Sequence, residues 1–223
     1  MRRDTLQAAA PRPLRRDAER NRQRILSAAK TVFRERGFDA TLDDVAHAAG
    51  LGVGTVYRRF PNKEFLIDAV FAERLEEIEE RCRAALADPD PWEGLRAFFW
   101  DSIEMMATDR GVRDTLLSNA FGRVEVARAK DRLIPVVAEL VQRAKDSGQL
   151  RADFSETDCP MLFKMIASVV EYSHEVAPDL WQRYLTMLLD GLRTDSGSRP
   201  ELPVPPLDSE ALDCAMQAWH SRR

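Results

Sequence analysis

The chain has 223 residues, 44% of them hydrophobic and 31% charged, enough to bury a substantial core in one or two domains. No apolar run reaches the roughly 18 residues of a membrane helix. Arg2 and Arg3 lead into "TLQAAAPRPLRR" rather than an apolar signal core, so the sequence reads as cytoplasmic with no membrane partner. The formal charge of −4 hides a division, with +7 on residues 1–63 and −11 on the remainder. A basic N-terminal part of this kind points to an anionic partner, nucleic acid or a membrane surface.

Residues 1–16, rich in Arg, Pro and Ala, read as a flexible basic arm. A first helix is expected from about Asp17, with Ile25, Ala28, Ala29, Val32 and Phe33 as its apolar stripe and Gly37 as its stop. Thr41, with Asp44 three residues on, opens a second helix to Ala49 in which Leu42, Val45, Ala46 and Ala49 share one face. Gly50, Gly52 and Gly54 follow. A phosphate-cradling glycine string comes after a buried strand; here a helix precedes it, so the glycines turn the chain between helices. In the third helix Val53, Val56, Tyr57 and Phe60 are expected to face inward, leaving Gly54, Thr55, Arg58 and Arg59 outward, and Pro61 ends it.

Asn62 caps a longer helix to about Ala87, broken by "DPDP" at 88–91. Helical patterns resume over Trp92–Thr108, Arg110–Ser118 and Val124–Ser147, the last with a kink expected at Pro135. "GQLRADF" reads as a loop, and helices follow over Thr157–Val176 and Pro178–Leu192. From Thr194 the Ser/Gly/Pro-rich stretch "TDSGSRPELPVPP" reads as a linker to a short helix marked by Leu212, Ala215, Met216 and Trp219. With no recognisable strand or repeat, the fold class is all-α. The expected division is an arm (1–16), a helix-turn-helix DNA-binding domain (17–63), a helical ligand-binding and dimerisation domain (64–193) and a linker with a tail helix (194–223).

Two short helices joined by a glycine turn match the DNA-binding helix-turn-helix, whose second helix enters the major groove. Thr55 can contact a phosphate or a thymine methyl, Arg58 and Arg59 can reach guanine edges or phosphates, and Gly54 allows close approach. Lys63, at a helix start, can grip a phosphate together with the helix N-terminus. The stretch "ILSAAKTVFRERGFDATLDDVAHAAGLGVGTVYRRFPNKEFL", residues 25–66, resembles the tetracycline-repressor-like (TetR) transcriptional regulators, most specifically at Gly37-Phe38, Thr41, Ala46, Ala49-Gly50, Gly54-Thr55, Tyr57, Phe60 and Lys63. The resemblance implies that Thr55, Tyr57 and Lys63 grip the DNA backbone, that Gly54, Arg58 and Arg59 lie at the base-facing surface, and that Thr41 belongs to the same contact set. Two positions depart from the pattern: Gly52 stands where relatives have a Ser or Thr cap, and Asp43 where some carry a basic base reader.

Residues 67–192 resemble the family in pattern alone. Met161, Leu162, Met165, Ile166, Val169 and Val170 form one stripe, and Leu180, Trp181, Tyr184, Leu185, Leu188 and Leu192 another, wider than one core contact needs. A homodimer through Met161, Met165, Val169, Trp181, Tyr184, Leu185 and Leu188 follows as the expectation, since paired half-sites multiply affinity. Large soft side chains gather nearby, and Phe99, Trp100, Ile103, Met106, Phe121, Val137 and Met165 are expected to line a pocket for an apolar or aromatic small-molecule effector. Cys82, Cys159 and Cys214, like His47, His174 and His220, are scattered, so neither a metal site nor a disulfide framework is expected. No cofactor motif and no Gly-x-Ser-x-Gly, His-Glu-x-x-His or P-loop sequence appears, which argues against an enzyme. The resulting expectation is a homodimeric repressor on double-stranded palindromic operator DNA, released by a small molecule. Its rival is a non-specific DNA-packaging or membrane-surface protein acting through the basic part.

Overall fold

Side-chain caps fix the starts of several of the helices. The computed structural model describes residues 12–110, 124–194 and 200–220, and among them nine α-helices. These are α1 (Arg12–Arg36), α2 (Leu42–Ala49), α3 (Val53–Arg59), α4 (Lys63–Leu86), α5 (Pro91–Thr108), α6 (Val124–Asp146), α7 (Cys159–Ser173), α8 (Leu180–Leu192) and α9 (Ser209–His220). The described residues include no strand; Leu150 and Arg193 form one isolated bridge. Asn62 Oδ1 accepts from the Phe65 amide at 3.1 Å to start α4, and Asp90 Oδ1 accepts from the amides of Trp92 and Glu93 to start α5.

Two hydrophobic cores share α4. The N-terminal core joins Ile25, Leu26, Ala29 and Phe33 of α1 to Val45, Val56 and Phe60, and closes on Leu66 to Leu75 of α4 with Val126 and Ala129 of α6. The larger core takes Cys82 and Ala85 from the far end of α4 and packs them with α5, α6, α7 and α8. Ile78 packs against both. Residues 66–72 of α4 are all buried, so this half of the helix is enclosed on every side rather than along one stripe.

Several boundaries differ from the sequence reading. α1 starts at Arg12, so residues 12–16 are helical rather than part of a loose arm, and residues 1–11 lie outside the described residues. Residues 12–16, "RPLRR", show no apolar periodicity for the sequence reading to use, and Pro13, in the first turn, is placed where a helix tolerates it. α7 stops at Ser173 and α8 starts at Leu180, because the Val176 and Ala177 amides turn back onto the Ser173 carbonyl ahead of Pro178. α6 runs unbroken through Pro135, an exposed position. The helix expected over 110–118 lies, beyond Arg110, outside the described residues. Residues 200–202 are more than a linker: Arg151 donates to the Pro200 carbonyl at 3.1 Å, and the Leu202 amide donates to Asp153 Oδ2 at 2.7 Å. Hydrogen bonds from Arg151, then the Leu202 amide, hold the Asp153 carboxyl at about 2, against the opposing effect of burial.

α4 and α5 cross at Gly94, where a Cβ would stand 2.4 Å from the Ala85 carbonyl oxygen. The obstacle is backbone, so the helices themselves would have to separate. Gly94→Ala is therefore expected to destabilise the fold by about 1–3 kcal/mol, although alanine is the better helix former. Chemical denaturation checks it: an unchanged or higher midpoint would show that the crossing has slack.

Candidate nucleic-acid interface

The turn between α2 and α3 is fixed from three sides. At the start of α2 the Asp44 carboxylate accepts from the Thr41 amide at 2.9 Å and the Thr41 hydroxyl at 2.7 Å, while the Asp44 amide donates to Thr41 Oγ1 at 3.2 Å. These Thr41 bonds, with Arg36 at 3.0 Å beside them, hold the Asp44 carboxyl below its ordinary range. The hydroxyl of Thr41 thus already has a partner, in the cap. At the end of α2, Gly50 takes the left-handed conformation with φ +61°, where glycine carries no steric penalty. Its amide donates to His47, and the Leu51 amide to Ala46. Arg24 reaches across from α1 and donates to the carbonyls of Ala49 at 2.8 Å and Gly50 at 3.4 Å, groups a helix end leaves unpaired. Gly52 precedes α3 with no side-chain cap, as its lack of a side chain requires.

Of the four residues expected to turn inward on α3, only Val56 and Phe60 are buried. Val53 is 43% exposed and Tyr57 46%. A seven-residue helix offers about two turns and one line of contact, and Val56 and Phe60 fill it. The outward surface is therefore Val53, Gly54, Tyr57, Arg58 and Arg59, with Thr55 half-buried and open space where a Cβ on Gly54 would stand. Lys63, half-buried, opens α4 directly after the Asn62 cap, placing three cations within six residues of chain. Asp43 is exposed on α2.

In the larger core, Phe99, Ile103 and Met106 are fully buried, while Trp100 and Val137 are partly so. Phe163 of α7 sits with its ring centroid 6.0 Å from Phe98 and 5.4 Å from Phe99, and Trp100 lies 5.4 Å from Trp181. Met165, expected in this lining, is instead 48% exposed, and Phe121 lies outside the described residues. The expected dimer face also divides. Trp181 and Leu185 are buried in the chain's own core, which puts them out of a partner's reach; Met161, Val169 and Leu188 are half-buried, and Met165 and Tyr184 are exposed. The sequence reading missed Tyr172, Val176 and Met187, which extend the exposed apolar face. Met187 and Leu189 both lie off the expected apolar stripe of α8, yet Leu189 is buried, so position relative to that stripe did not mark which would be exposed.

Charges that are far apart in sequence meet between the two cores. Buried Arg74 of α4 donates to Asp109, which follows α5, and to Glu77 at 2.7 Å; Arg34 of α1 stands 3.5 Å from the same Asp109 carboxylate. Lys30 of α1 bridges Glu73 at 3.0 Å and Glu77 at 2.8 Å, and Arg110 reaches Asp39, in the turn before α2, at 3.1 Å. Burial works to raise Glu77 and to lower Lys30, but their hydrogen bonds outweigh it, so Glu77 titrates low and Lys30 high. Stability from Glu77 is full above its unfolded pKa and lost as pH falls through the lowered value; that from Lys30 is full below its unfolded pKa and lost as pH rises through the raised one. Cys82 and Cys159 are buried, and burial pushes the Cys82 thiol up to about 12 and Cys159 higher still. Among the described residues no group of His, Cys, Asp and Glu could hold a metal ion, and no helix is long and apolar enough to cross a membrane.

Comparison with known proteins gives this arrangement its context. Residues 25–70 match the model for bacterial regulatory proteins of the tetR family, and residues 90–194 match the SbtR-like transcriptional regulator C-terminal domain. The uncharacterized HTH-type transcriptional regulator YhgD of Bacillus subtilis is 38% identical over 173 residues, covering 74% of this chain and 91% of that protein. The HTH-type transcriptional regulator SrpR of Pseudomonas putida is 29% identical over 139 residues, 60% of this chain, and the match spans 65% of its length, just under two thirds. The crystal structure of a TetR transcription regulatory protein from Mycobacterium vanbaalenii aligns with a TM-score of 0.56 at 32% identity, over 82% of this chain and 100% of that one. RolR, solved with its ligand resorcinol, shares the fold at 16% identity and a TM-score of 0.57, over 93% of this chain and 96% of its own. These matches are regulators of transcription rather than enzymes, and the chain belongs to the TetR family.

Proposed function

We propose that this chain is a homodimeric repressor that reads a palindromic operator with paired α3 helices and leaves it when a small molecule enters the larger core. The observation that carries the reading is the outward surface of α3, where Arg58 and Arg59 stand exposed on a helix whose entry turn is pinned by Gly50 and Arg24. A helix held in this way can enter a major groove with little reorganisation, and its arginines suit guanine edges. Thr55, Tyr57 and Lys63 serve as backbone contacts and Gly54 allows close approach; the part of Thr41 is to cap α2 beside the DNA. Selection of DNA from a random pool is the test. Recovery of an inverted repeat, bound more tightly than its scrambled version at equal salt, supports the reading, and indifference to sequence favours the DNA-packaging alternative.

Dimerisation uses the exposed apolar residues Met165, Tyr172, Tyr184 and Met187, since a face of this kind on α7 and α8 is a self-complementary patch. The two half-sites demand recognition helices about 34–36 Å apart. Release follows when the effector changes that separation, and the charged junction is the route: α5 lies in the larger core, Asp109 joins it to α4 and α1, and Arg110 joins it to the turn before α2. Moving a population from 99:1 to 1:99 requires about 5.5 kcal/mol of differential affinity.

Substitutions at three positions separate the roles on the DNA side. Arg58→Ala is expected to relax preference at one half-site position and cost about 1–3 kcal/mol, whereas Lys63→Ala weakens all sequences alike and lowers the salt slope by about one. Arg24→Gln weakens binding with the slope unchanged, because Arg24 positions the turn and touches no phosphate, and Arg24→Lys restores it. Titrations over operator variants and salt concentrations read all three; a slope that falls with Arg24→Gln would reassign that residue to the backbone.

Met187 is 58% exposed, so Met187→Glu costs a monomer little, yet buries a charge in the proposed dimer and is expected to dissociate it. Sedimentation velocity at micromolar concentration is the measurement. An unchanged dimer with this variant would move the interface elsewhere.

A further inference from the structure

The larger core contains a hydroxyl that the fold leaves unused. Ser102 on α5 is 4% exposed, and its Oγ has no hydrogen-bond partner. Hydroxyls within helices usually donate to the carbonyl four residues back. Thr31, Thr108, Ser168, Ser173 and Thr186 all do so here, and buried Thr157 donates to Ser155 Oγ at 3.0 Å. Burying a hydroxyl without a partner disfavours folding, so an unpaired one in a native core calls for a reason outside the packing.

Its neighbours supply the reason. Ser102 lies one helical turn after Phe98 and Phe99 and one turn before Met105 and Met106, on the α5 face that packs into the larger core. The rings of Phe98 and Phe99 there meet Phe163 of α7. A hydrogen-bonding atom set among aromatic and methionine side chains is the arrangement by which a mostly apolar site orients a small ligand. The charge balance narrows the chemistry further. Of the buried ions among the described residues, Asp68 lies in the stretch of α4 enclosed by the N-terminal core, and Arg74 and Asp109 are joined to each other between the cores, so a charged ligand beside Ser102 gains no counter-ion from them and would lose its hydration.

We propose that Ser102 is the polar anchor of the effector site, and that the effector is an electrically neutral molecule with an aromatic or aliphatic body and one hydroxyl or carbonyl that bonds to Ser102 Oγ. The assignment rests on the proposed function for the existence of an effector. It adds to that reading the residue that orients the molecule and the chemical class it accepts. Ser102 is thus retained at the expense of stability, because replacing it with alanine would remove the unpaired group while leaving the packing intact.

The test uses the full chain, wild type and Ser102→Ala, with p-cresol, p-xylene and 4-methylbenzoate as probes. p-Xylene has the shape of p-cresol with a methyl in place of the hydroxyl, and 4-methylbenzoate carries a charge. Without probe, Ser102→Ala is expected to unfold at the same or a higher denaturant concentration than wild type. With probe, p-cresol raises the melting temperature of wild type by more than p-xylene, corresponding to a preference of about threefold to tenfold in Kd, while 4-methylbenzoate produces no shift. In Ser102→Ala the preference disappears.

Equal shifts from p-cresol and p-xylene in wild type, no shift from either, a preference that survives in Ser102→Ala, or a Ser102→Ala chain that unfolds more easily overturns the proposal. A shift from 4-methylbenzoate overturns the neutral class. Selection of DNA from a random pool reports separately on the regulator. A chain that prefers p-cresol but selects no inverted repeat overturns the repressor reading and leaves Ser102 as a ligand contact. A chain that selects a repeat without that preference overturns the Ser102 assignment alone.

Discussion

The contact between Arg74 and Asp109 decides how the two halves of this molecule sit against each other. Both groups are buried, and a buried ion pair adds little net stability over an apolar pair of equal volume. Its value lies in position. Arg74 belongs to the helix that both cores share, Asp109 ends the run of chain that fills the centre of the larger core, and Arg34 joins them from α1. A charge removed from this junction leaves a buried partner undercompensated, Arg74 with Glu77 alone or Asp109 without its buried guanidinium, which favours one relative placement of these elements over a range.

The far end of α4 is held with equal care. Arg143 of α6 donates to the Leu86 carbonyl at 2.7 Å and to the Asp88 carbonyl, covering the carbonyls that a helix terminus exposes. Gly94 brings α5 against the same turn. A helix gripped at both ends and enclosed over residues 66–72 cannot bend at modest cost, so displacement at one end carries to the other. Lys63 opens that helix. The proposed DNA-contact surface and the larger core are therefore joined by a stiff element, which is the physical requirement for a switch built from two discrete arrangements.

The parts of this structure that the sequence made legible are those with local causes. The α2 cap was visible because Thr41 and Asp44 lie three residues apart, and the α2–α3 turn because three glycines alternate there. Helix faces with a full apolar period, as in α2, were also placed correctly. Short or exposed elements were not: α3 is too brief for periodicity to separate Val53 and Tyr57 from Val56 and Phe60, and the first turn of α1 carries no apolar stripe. The junction among Arg34, Arg74 and Asp109 was invisible for another reason. Its partners are 35 or more residues apart, and any Arg or Asp in a helical sequence reads first as a solvated charge. Ser102 was hidden in the same way, since a serine in a helix gives no sign of whether its hydroxyl has a partner.

Burial also reorders the proposed dimer face. Trp181 and Leu185 anchor α8 inside its own chain, and Tyr184 and Met187, on neighbouring positions of the helix, are left outward. α8 thus has an inner and an outer apolar side, and the proposed dimer face cannot shift without disturbing the core beneath it. α7 has the same double role, with Ile166 and Val170 inward and Met165 and Tyr172 outward. A ligand that repacked Phe163 would act on the inner side of the helix whose outer side carries the proposed dimer face. In the proposed dimer, spacing of the recognition helices would be sensitive to the larger core by two paths, through α4 to Lys63 and through α7 to the partner. Because a palindromic operator demands a fixed separation of half-sites, a small change along either path would, in that dimer, cost fit at both half-sites at once.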